Sequence, residues 1–193
     1  MSKSLRETGL RAIPYVPWGT HLCQFYRSTE ELVQVLVPYF RAGLENNEYC
    51  MWVTAEPLNA ESAREAMTRA MPSFDRYLEK GQVEIVPHDQ WFLRDDVFDM
   101  KMVLDGWLSR LNHALEKGYD GLRASGNTAW LESKDWESFS EYEAVVNGRI
   151  GDYRIIAICS YRLNALVVPR VIGVLDNHQA ALVRRSDDWT AVL

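Results

Sequence analysis

His21 and Cys23 carry side chains that bind metals or act as nucleophiles, and they lie two positions apart in an apolar stretch. Side chains of a β-strand alternate between its two faces, so this spacing places both on one face. Together with His178 or Cys159 they would form a soft metal or haem site. A core histidine beside a packed thiol is the simpler interpretation of the same pair. We therefore predict no metal and no cofactor, and a metal- or haem-binding sensor stays an alternative.

The elements that must position these side chains alternate between strand and helix patterns. Apolar runs typical of buried strands occur at 22–26, 49–55, 83–88, 121–130 and 153–162. Helical spacing of apolar residues covers 29–44, 59–70, 74–79, 95–118, 139–151 and 165–180, and an edge hairpin follows at 181–193. The alternation predicts an α/β fold, a three-layer α/β/α sandwich with a mainly parallel central sheet. We predict an N-terminal extension at 1–18 and a single domain at 19–193.

The strand exits are the expected ligand site, because sheets of this kind bind ligands beyond the carboxyl ends of their strands. The predicted ligand-binding residues at these exits are Phe25, Tyr26, Arg27, Glu56, His88, Trp91, Trp130 and Tyr161. Most of them are aromatic, which suits a mainly apolar pocket with a few polar groups. Aromatic residues at strand exits can equally fill the top of a core, so a structural role competes with each assignment.

The joint between the first strand and the first helix, FYRSTEE (25–31), lacks the glycines and the lysine of a phosphate loop. Glu30 and Glu31 lie in the first helical turn, where they complement the helix dipole and would repel a polyphosphate. The fourth strand, LRASGN, ends without the acidic residue that would hold magnesium, and the sequence has no nucleophile elbow. We therefore predict that the protein is not an enzyme.

The composition excludes several other classes of protein. The net charge is -6 with no cluster of basic residues, so we expect no direct binding of nucleic acid. No apolar run reaches the roughly 18–20 residues of a membrane span, and the N-terminus lacks a signal-peptide core, so we expect a cytoplasmic protein that does not bind membranes. The three cysteines, Cys23, Cys50 and Cys159, lie in apolar runs and are expected to be reduced, buried thiols.

Five blocks of sequence occur in the order GTHLCQFY, LVPYFRAGLENNEYCMWVTAEP, GNTAWL, EYEAVVN and DNHQAALVRR. Together they resemble the DcmR-like sensory domain, also called the MEDS (methanogen/methylotroph sensory) domain, over about Gly19 to Trp189. This family is similar to the RecA/KaiC-like ATPase fold without its Walker A phosphate loop. The residues that match the family motifs are His21, Cys23, Tyr26, Trp130, Tyr142, Glu143, Asn147, Asn177, His178 and Gln179.

The resemblance implies a non-catalytic sensor of a small organic molecule, either a hydrocarbon derivative or a one-carbon compound, bound in a degenerate nucleotide pocket. It also implies a regulatory protein partner, namely a histidine kinase, an anti-sigma module or a transcription factor. His21, Cys23, Glu143 and His178 join the predicted ligand-binding residues on this basis. The alternative from another class is a protein-interaction module. The last helix, apolar on more than one face, would then lie at a homodimer interface.

Overall fold

The structure is a computed structural model, and it describes residues 4–192. Within these residues the strands are β1 (Leu5–Glu7), β2 (Tyr15–Pro17), β3 (Thr20–Tyr26), β4 (Tyr49–Thr54), β5 (Val83–Pro87), β6 (Leu93–Arg94), β7 (Val97–Phe98), β8 (Leu122–Asn127), β9 (Ile155–Arg162), β10 (Ala180–Arg185) and β11 (Asp188–Val192). The α-helices are α1 (Thr29–Glu45), α2 (Ala60–Ala70), α3 (Phe74–Glu79), α4 (Met100–Glu116), α5 (Trp136–Arg149) and α6 (Val168–Asp176). None of these helices is both long enough and apolar enough to cross a bilayer.

The central sheet has seven strands in the order β11-β10-β3-β9-β8-β4-β5. Neighbouring strands are parallel throughout, except that β11 returns antiparallel to β10 as the expected edge hairpin. Strands β3 and β4 are buried at every position, as their continuous apolar runs predict for strands covered on both faces. The predicted α/β class with a mainly parallel sheet is therefore confirmed.

Helices cover both faces of the sheet and create two separate cores. Helices α1, α2 and α3 pack on one face over side chains such as Leu22, Trp52 and Ile158. Helices α4, α5 and α6 pack on the other face, where Cys23 and Met51 point. Alternation along β3 sends Leu22 and Cys23 to opposite cores, so odd-numbered residues of this strand face α4–α6. The three-layer arrangement is the predicted one.

The start of α4 corrects the sequence interpretation. The pattern predicts a helix from residue 95, but residues 93–98 form the small antiparallel hairpin β6–β7. Asp95 and Asp96 have positive φ angles of 50° and 62°, which suits a turn and not a helix start. Asp99 is the actual N-cap, and its carboxylate accepts a hydrogen bond from the backbone N–H of Met102 at 2.9 Å.

The predicted extension also contributes to the core. Strands β1 and β2 form a hairpin, and Val16 of β2 and the adjoining Thr8 and Trp18 are buried. Arg123 of β8 donates to the carbonyl of Glu7 at 2.7 Å, which ties this hairpin to the sheet. Residues 5–18 therefore pack against the domain, while residues 1–3 and 193 lie outside the described part of the chain.

Candidate functional site

The joint between β3 and α1 is filled by a carboxylate of the chain itself. Ser28 caps α1 by accepting from the backbone N–H of Glu31. The Glu31 carboxylate folds back, accepts from the backbone N–H of Arg27 at 2.7 Å and lies 3.5 Å from the guanidinium of Arg184. In a phosphate loop, the N–H groups at this place would surround a phosphate. Here Glu31 supplies the anion.

The carboxyl ends of β3, β4 and β8 are tied together by Asn127. Its side-chain oxygen accepts from the Tyr26 hydroxyl at 3.1 Å and from the backbone N–H of Ala129 at 3.0 Å. Its amide nitrogen donates to the carbonyl of Ala55 at 3.1 Å. Burial raises the pKa of Tyr26 to about 12 despite the hydrogen bond to Asn127, so the hydroxyl stays protonated. The polar groups at this edge therefore satisfy one another.

A cavity of about 450 Å³ lies on the face of the sheet, beneath α4 and α5. Its floor is made of small residues on two adjacent strands, Ala124 and Gly126 on β8 and Ala157 on β9. Because these side chains are short, the helices above them leave a space. The remaining lining is mainly apolar and aromatic, and it includes Phe92, Met100, Leu104, Trp107, Phe139, Tyr142 and Val146. The exposed side chains at its mouth are Lys101, Asp105 and Arg149.

An aromatic wall closes one side of the cavity. The Phe92 ring stacks on Trp130 with centroids 5.3 Å apart, and Trp130 in turn lies 6.0 Å from His88. Trp107 donates from Nε1 to the Tyr142 hydroxyl at 2.8 Å, which fixes two rings that border the cavity. Rings packed in this way hold the shape of an apolar pocket.

Four side chains with metal-binding atoms meet at the cavity, from four separate places in the sequence. They are His21 on β3, Glu143 on α5, Cys159 on β9 and His178 just after α6, and their ligand atoms all lie within 4.8 Å of one another. Glu143 Oε2 is 2.9 Å from His178 Nε2 and 3.4 Å from His21 Nε2. The Cys159 thiol lies 3.5 Å from His21 Nε2 and donates to Glu143 Oε1 at 3.4 Å. All but His178 border the cavity.

Backbone carbonyls orient both imidazoles. His21 Nδ1 lies 3.1 Å from the carbonyl oxygen of Asn177, and His178 Nδ1 lies 2.6 Å from that of Val174. A carbonyl oxygen only accepts, so each Nδ1 carries the hydrogen. In the neutral rings, both Nε2 lone pairs therefore point into the cluster, towards Glu143.

The charges in the cluster follow from its burial. Burial and the neighbouring His178 lower the pKa of His21 to about 3 against the opposing effect of Glu143, so His21 is neutral. Burial opposes ionisation of Glu143, but His178, His21 and Cys159 outweigh it, and the pKa of the carboxyl is lowered. Burial and Glu143 raise the pKa of the Cys159 thiol well above its ordinary value. The cluster thus combines a buried carboxylate, a thiol and a neutral imidazole.

A family model described as the methanogen/methylotroph, DcmR sensory domain (MEDS) matches residues 20–179. The chain belongs to the MEDS family. This match includes all four residues of the cluster, and the resemblance noted in the sequence is confirmed.

Solved structures place the MEDS domain in a known fold. It is similar to a KaiC-like protein from the hyperthermophilic archaeon Pyrococcus horikoshii OT3, with a TM-score of 0.65 and 14% sequence identity. The similarity covers 98% of this chain and 86% of the other. At this identity the likeness shows the fold alone, and the KaiC-like interpretation of the fold is confirmed. No curated protein matches the sequence.

Gln179 joins two of the sequence blocks that carry the resemblance. Its side-chain oxygen accepts from the backbone N–H of His21 at 2.8 Å, and its own backbone N–H donates to the carbonyl of His21 at 2.9 Å. This double contact holds the segment after α6 against β3. It explains how HLC at 21–23 and NHQ at 177–179 of the MEDS domain reach one site.

The predicted site residues fall into three groups in the MEDS domain. His21 and Glu143 line the cavity, His178 completes the cluster, and Cys23 neighbours Cys159 across the β3–β9 pairing. The residues that lie at or near the carboxyl ends of the strands are Phe25, Tyr26, Arg27, Glu56 and Tyr161. The residues within or beside the aromatic wall are His88, Trp91 and Trp130.

The cavity-lining residues of α4, among them Met100, Leu104 and Trp107, were not predicted from the sequence. The strand-exit rule directs attention away from helix faces. The sequence indicates Cys159 as a buried thiol and as an alternative partner of His21 and Cys23, but it does not predict that Cys159 lies in one cluster with Glu143 and His178. The available signal was the run of small residues on β8 and β9, where Ala124 and Ala157 leave a gap in an otherwise bulky core.

Proposed function

We propose that this chain is a non-catalytic sensory domain that binds a small, mostly apolar organic molecule in the cavity beneath α4 and α5. The cavity itself is the observation that carries the proposal. An apolar cavity of about 150 Å³ is large enough for benzene, and this one measures about 450 Å³. The volume favours a hydrocarbon derivative of several carbons over a one-carbon compound. The family supports the sensory role.

In the proposed sensor, α6 transmits the effect of ligand binding to a partner. The last turn of this helix holds both imidazoles of the cluster, because the carbonyls of Val174 and Asn177 accept from His178 and His21. A molecule that displaces Glu143 or His21 would therefore act directly on the helix. We propose that a regulatory protein, such as a histidine kinase, an anti-sigma module or a transcription factor, responds to this movement.

Filling the cavity is expected to abolish ligand binding. Val146 on α5 lines the cavity, whereas Ala144 on the same helix is exposed. The probes are benzene and 1-hexanol. At about 100 times its Kd, a bound probe stabilises the native state by about 2.7 kcal/mol, which raises Tm by about 5–10 °C in a chain of this size. We expect this rise in the wild type and in Ala144→Trp, and not in Val146→Trp.

Thermal unfolding with and without each probe is the measurement. Circular dichroism at 25 °C must first show that both tryptophan variants are folded. An equal rise in Tm for Val146→Trp and the wild type would place binding elsewhere. No rise for either probe in the wild type would contradict an apolar ligand site in this cavity.

A second candidate function is a protein-interaction module, and the outer face of α6 favours it. Val168, Ile172 and Leu175 are 72%, 54% and 40% exposed, and their spacing forms an apolar stripe along the helix. Such a stripe fits the same stripe of a second helix. We propose a second copy of this chain as its occupant, because two-fold pairing brings identical helices together.

Disrupting this stripe is expected to weaken a homodimer at least tenfold. The variant is Ile172→Asp, which places a charge on the apolar face. Val97→Asp is the control, since Val97 is an apolar residue in the β6–β7 hairpin that is at least as exposed as Ile172. Sedimentation equilibrium over a range of concentrations gives the dimer Kd. A monomeric wild type, or equal weakening by both variants, would contradict the proposal.

A further inference from the structure

The spacing of the four-residue cluster matches the coordination shell of a metal ion. With bonds of about 2.0–2.1 Å to nitrogen or oxygen and 2.3 Å to sulfur, tetrahedral zinc separates its ligand atoms by about 3.3–3.6 Å. The close pairs in the cluster are 2.9–3.5 Å apart, and all four ligand atoms lie within 4.8 Å of one another. Any pair at the wide end of this range would have to move closer together to complete the shell.

Hydrogen bonding within the cluster is incomplete, which is an independent observation. Glu143 Oε2 and His178 Nε2 are buried, and neither has a hydrogen-bond partner among the described residues. With the His178 hydrogen on Nδ1, these two atoms face each other as acceptors at a distance of 2.9 Å. Both Nδ1 hydrogens already face backbone carbonyls, so the thiol of Cys159 is the remaining donor within the cluster.

Three lone-pair atoms that converge in a buried place beside a single thiol donor favour a bound cation. A buried polar atom without a partner costs about 1–3 kcal/mol, and more when it is charged. One metal ion would satisfy the lone pairs of His21, His178 and Glu143 together. The hydrogen bonds from Nδ1 to carbonyl groups are also the usual outer-shell support of metal-binding histidines.

We propose that His21, Glu143, Cys159 and His178 bind one divalent transition-metal ion, with zinc as the first candidate. Two imidazoles, a thiolate and a carboxylate form a borderline-soft donor set, which magnesium and calcium do not prefer. Three of the four residues border the cavity, so the ion would lie in its wall, within reach of a polar atom of a bound molecule. This site goes beyond the proposed function, because it stands whether or not the cavity binds an organic ligand.

Cobalt provides the direct test on the full chain. The protein is reduced, stripped with EDTA, and titrated with Co²⁺ without oxygen. We expect one equivalent to bind, with the intense visible absorption of tetrahedral cobalt and a thiolate-to-cobalt charge-transfer band. Zinc should then displace it at one equivalent. A wild type that binds neither ion stoichiometrically at micromolar concentration, or a cobalt spectrum without the thiolate band, would overturn the proposal.

Matched variants assign the ligands. Cys159→Ala and His178→Ala are expected to weaken binding by more than about 100-fold, beyond the loss typical of outer-shell changes. Cys23→Ala and His113→Ala are the controls, since Cys23 is a buried thiol next to Cys159 and His113 is exposed. Both controls should bind within about threefold of the wild type, a change of less than 1 kcal/mol.

If Cys159→Ala or His178→Ala does not fold, variants of the other two cysteines still test whether Cys159 is the thiolate ligand. The chain has only three cysteines, so the thiolate band must survive in Cys23→Ala and in Cys50→Ala if Cys159 is the ligand. Loss of the band in either of these folded variants would overturn the assignment.

Discussion

Replacing Glu48 by alanine is expected to lower the free energy of unfolding by about 3–5 kcal/mol, because it leaves a buried positive charge without its partner. Glu48 and Arg123 are both fully buried, and their side chains are 2.5 Å apart. Arg6 also reaches the Glu48 carboxylate, at 2.8 Å. Urea unfolding followed by circular dichroism measures the change.

A surface ion pair supplies the control for this prediction. Glu45 pairs with Arg41 at 2.9 Å, but about half of each side chain is exposed. Such a pair contributes about 0–1 kcal/mol, so Glu45→Ala should change little. Replacing both buried partners, in Glu48→Leu with Arg123→Met, should recover part of the loss. A loss below about 1 kcal/mol for Glu48→Ala would show that water reaches Arg123.

The same ion pair explains a glycine in α1. A Cβ on Gly43 would lie 2.6 Å from the Arg123 side chain and 2.9 Å from the Cys50 sulfur. The helix can approach β8 at this point only because Gly43 has no side chain. Arg123 uses the space to donate to the carbonyl of Tyr39 at 3.0 Å. The charged residues of this face therefore hold α1, the β1–β2 hairpin and the sheet together.

The sequence predicted the layers of the fold but not the β6–β7 hairpin that precedes α4. The continuous apolar runs in β3 and β4 predict strands that are buried on both faces of the sheet. The helical spacing of apolar residues predicts the helices that cover these faces. The hairpin at Asp95 and Asp96 was missed because aspartates suit both a helix start and a turn. The hairpin brings the Phe98 ring to 5.9 Å from the ring of Trp130, which is distant in the sequence. No local pattern contains that contact.

The site was predicted in part, for a similar reason. Strand alternation correctly placed His21 and Cys23 on one face. It could not show that β3 lies next to β9, where Cys23 is opposite Cys159 and His21 is opposite Ala157. The cavity also depends on pairing, because Ala124 of β8 is the neighbour of Ala157. These small residues are far apart in the sequence. They can be recognised as one cavity floor only when the strand order is known.

The position of the cluster links the cavity to α6. Gln179 holds the segment after this helix to β3, and the carbonyls of Val174 and Asn177 hold the two imidazoles. Glu143 comes from α5, which forms part of the cavity roof. Any change in the distance between α5 and the sheet therefore alters the cluster and the base of α6 together. The proposed sensory role would use this connection between the cavity and α6.

Zinc is expected to stabilise the protein by about 4 kcal/mol when its free concentration is 1,000 times Kd, because the ion binds the native state alone. EDTA should reverse the gain. Glu143→Gln separates this effect from a general loss of packing, since the amide keeps the shape of the carboxyl and can donate to the free Nε2 of His178. The variant should therefore keep its metal-free stability and lose most of the gain from zinc.

Urea unfolding of both proteins, with zinc and with EDTA, gives the four free energies that this comparison needs. If the cluster holds a proton and no metal, zinc and EDTA will give the same free energy of unfolding for the wild type. If zinc stabilises Glu143→Gln as much as the wild type, the ion binds elsewhere. A gain confined to the wild type would show that the ion uses the Glu143 carboxylate, the group through which α5 joins β3, β9 and the end of α6.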